Sequence, residues 1–131
     1  MKIKDRVFLI TGAGSGLGAA VARMVVAEGG KAMLLDVNGD ALASVAHELG
    51  AAARLLKTDV TSEADGQAAI AAARDAFGRI DGLVNCAGVA PGEKVVGRDG
   101  PHSLERFTRA VSINLVGTFN MIRLAAEAMS K

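Results

Sequence analysis

The sequence contains no tyrosine and no tryptophan, four phenylalanines, one cysteine and two prolines. One cysteine excludes an internal disulfide and fits a reducing compartment, so a cytoplasmic location is expected. Without tyrosine, no phenol in this chain can act as an acid or base. Neither sign of charge is in excess: 15 basic against 14 acidic side chains leave +1, and no run of like charge occurs. That balance argues against a nucleic-acid footprint and against attraction to an anionic membrane surface. No apolar run approaches the roughly 20 residues of a membrane span. Met1–Asp5 leads straight into a strand-like segment, so no secretory signal is expected. Half of the 131 residues are apolar, which excludes disorder and suffices for the core of one domain, residues 1–131. Sixteen glycines exceed the usual share and imply close backbone approaches in some loop.

A single rhythm runs along the chain. Arg6–Ile10 is a β-branched and aromatic run that reads as a buried strand. Leu17, Val21, Met24 and Val25 follow at helical spacing, and Gly29-Gly30 closes that helix. Lys31–Asp36 is a second strand, and Leu42, Val45, Ala46 and Leu49 mark one face of a second helix. Ala52–Lys57 reads as a third strand. Ser62 opens a third helix, carried by Ile70, Ala73 and Phe77 to Gly78. A fourth strand, Asp81–Asn85, precedes a Gly-, Pro- and charge-rich loop from Cys86 to His102. Ser103 then caps a long helix running to Lys131. Strands that are continuous apolar runs are covered on both faces, which predicts an α/β, doubly wound parallel sheet of the Rossmann kind. Right-handed crossovers set the strand order 3-2-1-4, with the later strands of such a sheet absent from this chain.

The residues that carry chemistry stand at the carboxyl ends of the strands. Gly12, Gly14, Gly16 and Gly18, with Ser15 and Leu17, form a turn from strand into helix inside a βαβ unit. Glycines there let the backbone approach a pyrophosphate, and the helix N-terminus supplies free N–H groups. Asp36, closing the second strand, can accept hydrogen bonds from ribose hydroxyls and repel a 2′-phosphate. No basic residue lies in the glycine turn or just after Asp36, which favours NAD over NADP. Asp59 and Val60 can meet an adenine edge with a carboxylate and an N–H, or form an ordinary polar strand exit. Asn85, Cys86, Ala87 and Gly88 end the fourth strand beside the first, where the order reverses and a ligand crevice is expected. Cys86 as a nucleophile would need His47 or His102 as its base, and neither lies near it in this reading. Asn114 falls in line with Phe107, Val111 and Thr118, on what reads as a buried stripe, where its amide needs partners.

Together these pieces resemble the short-chain dehydrogenase/reductase family. Thr11–Gly18 matches its TGxxxGxG turn. Asp36, Asp59-Val60, Asn85–Gly88 and Asn114 stand where that family has its NAD-selecting acid, adenine contact, NNAG motif and active-site asparagine. Cys86 in place of the second Asn, with Gly97–Phe107 and Asn114–Leu124, is similar to the type-2 3-hydroxyacyl-CoA dehydrogenase subgroup. The resemblance implies an NAD-dependent oxidoreductase acting on a secondary alcohol/ketone pair, a 3-hydroxyacyl-CoA by subgroup. It also implies a homotetramer or dimer paired through the long helix. It puts the catalytic Ser and Tyr-x-x-x-Lys downstream of that helix, so Asn114 alone of the catalytic set is expected here, in the N-terminal, cofactor-binding half of such an enzyme. A non-catalytic NAD-binding fragment is the alternative. An S-adenosylmethionine-dependent methyltransferase is disfavoured by Thr11, where an acidic residue entering the glycine turn would be expected.

Overall fold

A computed structural model describes residues 1–131. Strands β1 (Val7–Thr11), β2 (Lys31–Asp36), β3 (Ala53–Lys57) and β4 (Gly82–Asn85) form one parallel sheet in the order β3-β2-β1-β4. Thr11 lies level with Leu35 on one side and Asn85 on the other, so three strand exits reach the same edge. Alternation along each strand divides the core. Phe8, Ile10 and Leu34 meet α1 (Gly16–Ala27) and α2 (Gly39–Leu49) on one face. Leu9, Met33 and Leu35 meet α3 (Glu63–Phe77) and Met121 on the other. No helix is long and apolar enough to cross a membrane.

Helix starts follow from short polar side chains. Asn38 Oδ1 accepts the Ala41 N–H at 3.0 Å, Ser62 Oγ that of Asp65 at 3.1 Å and Ser103 Oγ that of Arg106 at 3.3 Å. The buried face of α1 is not the one its large residues suggest. Leu17 is 80% exposed and Met24 is also exposed, while Gly18, Ala19, Ala22 and Val25 are buried. The helix lies too close to β1 for bulk: a Cβ on Gly18 would collide with the Gly12 carbonyl oxygen.

Two features of the last third depart from the sequence reading. The segment between β4 and the long helix contains a small antiparallel hairpin, β5 (Val96–Gly97) and β6 (Gly100–Pro101), with Gly100 at φ +130°. The long helix itself is α4 (Leu104–Val111), a π-helical stretch (Ser112–Gly117) and α5 (Thr118–Ser130) in unbroken succession. Asn114 is therefore not on a buried stripe: it, Phe107 and Val111 are exposed, and the buried positions are Gly117, Asn120, Met121, Leu124 and Ala125. The i→i+5 bonding of the π stretch adds residues to the turn, so counting at 3.6 residues across it assigns the wrong face. Leu104, Phe107, Val111, Ile122 and Met129 are all exposed, as is Val116, while Leu124 is buried against Gly66 of α3.

Candidate functional site

A cavity of about 1080 Å³ opens at the carboxyl ends of β1, β2, β3 and β4. It sits where the chain leaves β1 towards β2 while β4 lies on the opposite side, the switch point at which open α/β sheets bind ligands. All of the predicted cofactor contacts line it except Asn85: Gly12, Ser15, Gly16, Leu17, Gly18, Asp36, Asp59, Val60, Cys86, Ala87 and Gly88. Asn85 stays in the ladder opposite Thr11, and Asn114 stands one layer back.

The glycine turn has no space to spare. A Cβ on Gly12, at φ +63°, would lie 2.8 Å from the Ala87 nitrogen and the Cys86 carbonyl, so the exits of β1 and β4 touch backbone to backbone. Ser15 precedes α1 but makes no side-chain cap, whereas α2, α3 and α4 are each capped. The first N–H groups of α1 thus open on the cavity without a protein acceptor, which is the arrangement that receives an anion. Asp36 faces this turn: its Oδ2 accepts from Gly14 N at 3.0 Å and its Oδ1 from Asn38 N at 3.1 Å.

The turn after β3 is held from several sides. Asp59 Oδ1 accepts from Thr61 N at 2.9 Å and Thr61 Oγ1 at 2.7 Å, and Asp59 N donates to Asp65 Oδ2 at 2.8 Å. The Asp59 carboxylate is engaged in its own turn, as in an ordinary polar strand exit, while the Val60 N–H beside it has no protein acceptor. On the opposite wall, Asn114 Oδ1 accepts from Val89 N at 2.8 Å and its Nδ2 donates to Val89 O at 2.7 Å. The amide found its partners in a loop backbone, not in a core. Glu93 fixes the rest of that loop to the start of α4: the Arg106 guanidinium, 3.1 Å away, outweighs partial desolvation and holds the carboxyl below its usual range, with help from the Ser103 N–H and from His102. No cluster of three or more His, Cys, Asp or Glu side chains is placed to hold a metal ion. Neither His47 nor His102 lines the cavity beside Cys86, so no base stands ready for a thiol nucleophile there.

Six residues contribute in ways that escaped the sequence reading. Thr11, fully buried, accepts the Cys86 and Ala87 N–H groups at 3.0 and 3.1 Å and so ties β4's exit to β1. Its place in the turn motif drew attention to it, but not its hydroxyl. Glu105, Thr108, Arg109 and Ser112 of the long helix form a polar wall of the cavity, a spacing visible only once α4 is known to face it. Asn120 is buried beneath the Val60 turn; the segment Asn114–Leu124 that contains it was singled out, but not this residue.

The short chain dehydrogenase family model matches residues 6–131. The chain is 45% identical over 131 residues to 3-hydroxyacyl-CoA dehydrogenase type-2 of Bos taurus, covering 98% of this chain and 50% of that protein. Levodione reductase of Leifsonia aquatica is 44% identical over 126 residues, covering 90% and 45%. Among solved structures, the 3-ketoacyl-(acyl-carrier-protein) reductase from Brucella melitensis complexed with NADH superposes with a TM-score of 0.86 at 34% identity, covering 96% of this chain and 51% of that one. The chain spans about half the length of the relatives it matches. Over that half, sheet order, turn chemistry and sequence agree, and the chain belongs to the short-chain dehydrogenase family.

Proposed function

We propose that residues 1–131 are one cofactor-binding domain of an NAD-dependent oxidoreductase that transfers a hydride between NAD and a secondary alcohol/ketone pair. The observation that carries the reading is the uncapped start of α1 behind a glycine turn too tight for a Cβ, with Asp36 across from it. Gly12 and Gly16–Gly18 would hold the pyrophosphate through backbone N–H groups, and Asp36 the adenosine ribose. Asp59, Val60 and Cys86–Gly88 would line the adenine and nicotinamide sides. A carboxylate at position 36, with no Arg or Lys in Gly12–Gly18 or at Val37 and Asn38, supports NAD over NADP. When bound, NAD supplies the carbon that accepts or donates the hydride. The chain's own part is orientation: Asn114 clamps Val89 through both its N–H and its carbonyl, keeping the loop after β4 against the cavity. The names of several relatives support a 3-hydroxyacyl-CoA as the substrate class. The exposed apolar stripe of α4 and α5 supports a homotetramer or dimer, and the single cysteine a cytoplasmic setting.

A second reading, NAD binding without catalysis by the 131-residue chain itself, is favoured by one observation: the chain has no tyrosine. Calorimetry with NAD and NADP tests the cofactor assignment. Asp36→Ala is expected to lower NAD affinity about ten- to a hundredfold, the worth of hydrogen bonds to a charged group, and to narrow the preference over NADP. Unchanged NAD affinity in the folded variant would reduce Asp36 to a brace for Gly14 and Asn38.

A further inference from the structure

Three polar residues are buried as whole residues: Thr11, Thr58 and Asn120. The first two belong to strand exits at the cavity. Asn120 does not: it is on α5, and it is 6% exposed. Its Nδ2 reaches back to donate to Val60 O at 2.9 Å and Ser62 O at 3.3 Å. Its Oδ1 accepts from Arg123 Nε and Nη2 at 3.1 and 2.9 Å, and Arg123 Nη2 also pairs with Glu63 Oε1 at 2.8 Å. The side-chain amide therefore has no rotational freedom, because reversing it would set a carbonyl against the Val60 carbonyl and an amino group against a guanidinium.

The consequence lies at the turn Asp59–Ser62. The Val60–Thr61 peptide is held at both ends, its carbonyl by Asn120 and its N–H by the Asp59 carboxylate. Asp59 N is held by Asp65, and Ser62 N donates to Asp59 O. The N–H that is left over is that of Val60, on the cavity wall. Gly117, the last residue of the π stretch, lies so near that a Cβ there would collide with Val60 Cγ2. The long helix thus reaches this turn through the Asn120 amide and the Gly117 backbone, and its Met121 shares the hydrophobic cluster of the Val60 side chain.

We propose that Asn120 is a positioning residue for the adenine half of the dinucleotide: through Val60 O it sets the turn so that the free Val60 N–H and its neighbours meet the base. This rests on the reading of the cavity as an NAD site. Asn120 touches no ligand, and its effect travels through one peptide unit. It is distinct from Asn114, which acts on the opposite wall through Val89. One helix therefore braces both walls of the cavity, with an asparagine for each.

The test uses two probes that each carry one phosphate, AMP for the adenine half and nicotinamide mononucleotide for the other, in the protein that carries this chain. Asn120→Leu keeps a similar outline and removes the donor. It is expected to weaken AMP about tenfold, in line with the loss of a buried hydrogen bond and its geometry, and to leave nicotinamide mononucleotide within about twofold. Equal weakening of both probes would make Asn120 a general stabiliser of the fold and overturn the proposal, as would unchanged AMP affinity. If Asn120→Leu does not fold, Gly117→Ala displaces the same turn by contact and is expected to show the same split. Unchanged AMP affinity in that folded variant also overturns it. Wild-type protein that binds neither AMP nor NAD would instead bring down the cofactor reading on which the proposal stands.

Discussion

The first three strands with their helices and the chain from β4 onward are built on opposite terms. β1 is buried along its whole length, between β2 and β4 and between two layers of helix. β4 is paired on one side only, and all four of its residues are half-buried. In α1 the exposed large residues are few. Along α4, the π stretch and α5, by contrast, Leu104, Phe107, Leu115 at 66% and Phe119 at 64% stand exposed. Region one encloses β1 and β2, although β3, the other edge of the sheet, is itself largely exposed; region two has no fully enclosed strand and offers a broader apolar surface along its helix. A chain spanning about half of its relatives' length is one in which that difference is expected.

The largest expected effect concerns chemistry. If the first region binds NAD and the second carries only Asn114 of the catalytic set implied by the family resemblance, the 131-residue chain should bind NAD yet show no turnover. A general acid–base group is worth about 10²- to 10⁴-fold, and no tyrosine is present to supply one. Measurable NADH production by a mass-verified 131-residue chain would contradict that mechanism.

Next comes packing. Leu34, fully buried in β2, should cost about 2–5 kcal/mol when cut to Ala, read from denaturant unfolding. Leu115→Ser on the exposed stripe should change monomer stability by less than about 0.5 kcal/mol but lower association in light scattering. A large stability loss from Leu115→Ser, or a monodisperse wild-type monomer at tens of micromolar, would erase the contrast between the regions.

The smallest effect is electrostatic and belongs to the seam of the first region. Asp81, 8% exposed, is pushed up by burial but pulled further down by Arg79, the Val7 N–H and Arg6, so its carboxyl titrates below the usual value. A carboxyl lowered on folding contributes stability above its unfolded pKa and loses it as pH falls through the folded one. Thermal midpoints should therefore fall between pH 5 and pH 3, by less in Asp81→Asn than in wild type. Parallel slopes in the two proteins would show that the ion cluster adds nothing to folding.

Much of this was open to sequence reasoning, for a physical reason. Leu9, Ile10, Leu34 and Leu35 lie in apolar runs because both faces of the sheet are covered, so the strands could be read from local pattern, and their order from the topology of the fold class. The glycine turn was equally legible, since the collision at Gly18 permits no other residue. What stayed hidden depends on distance between elements. Ala19 and Ala22 are buried in α1, while its Leu17 and Met24 face outward; hydrophobicity alone misranks them. Asn114 was found as a residue but assigned to the wrong surroundings, because a π stretch leaves no mark in a 3.6-residue count. Asn120 and the hydroxyl of Thr11 act on residues 60 and 75 positions away, beyond the reach of any local rule.

Thr11 has a mechanical consequence. Its oxygen receives two successive N–H groups from a strand that has already ended, and so supplies the rung that a main-chain carbonyl would have supplied. The glycine turn and the Cys86–Gly88 exit are therefore parts of one plate, not two loops that happen to meet. The span across the cavity floor is preset by the fold before any ligand arrives, and a ligand need not spend its own binding energy in drawing the two sides together.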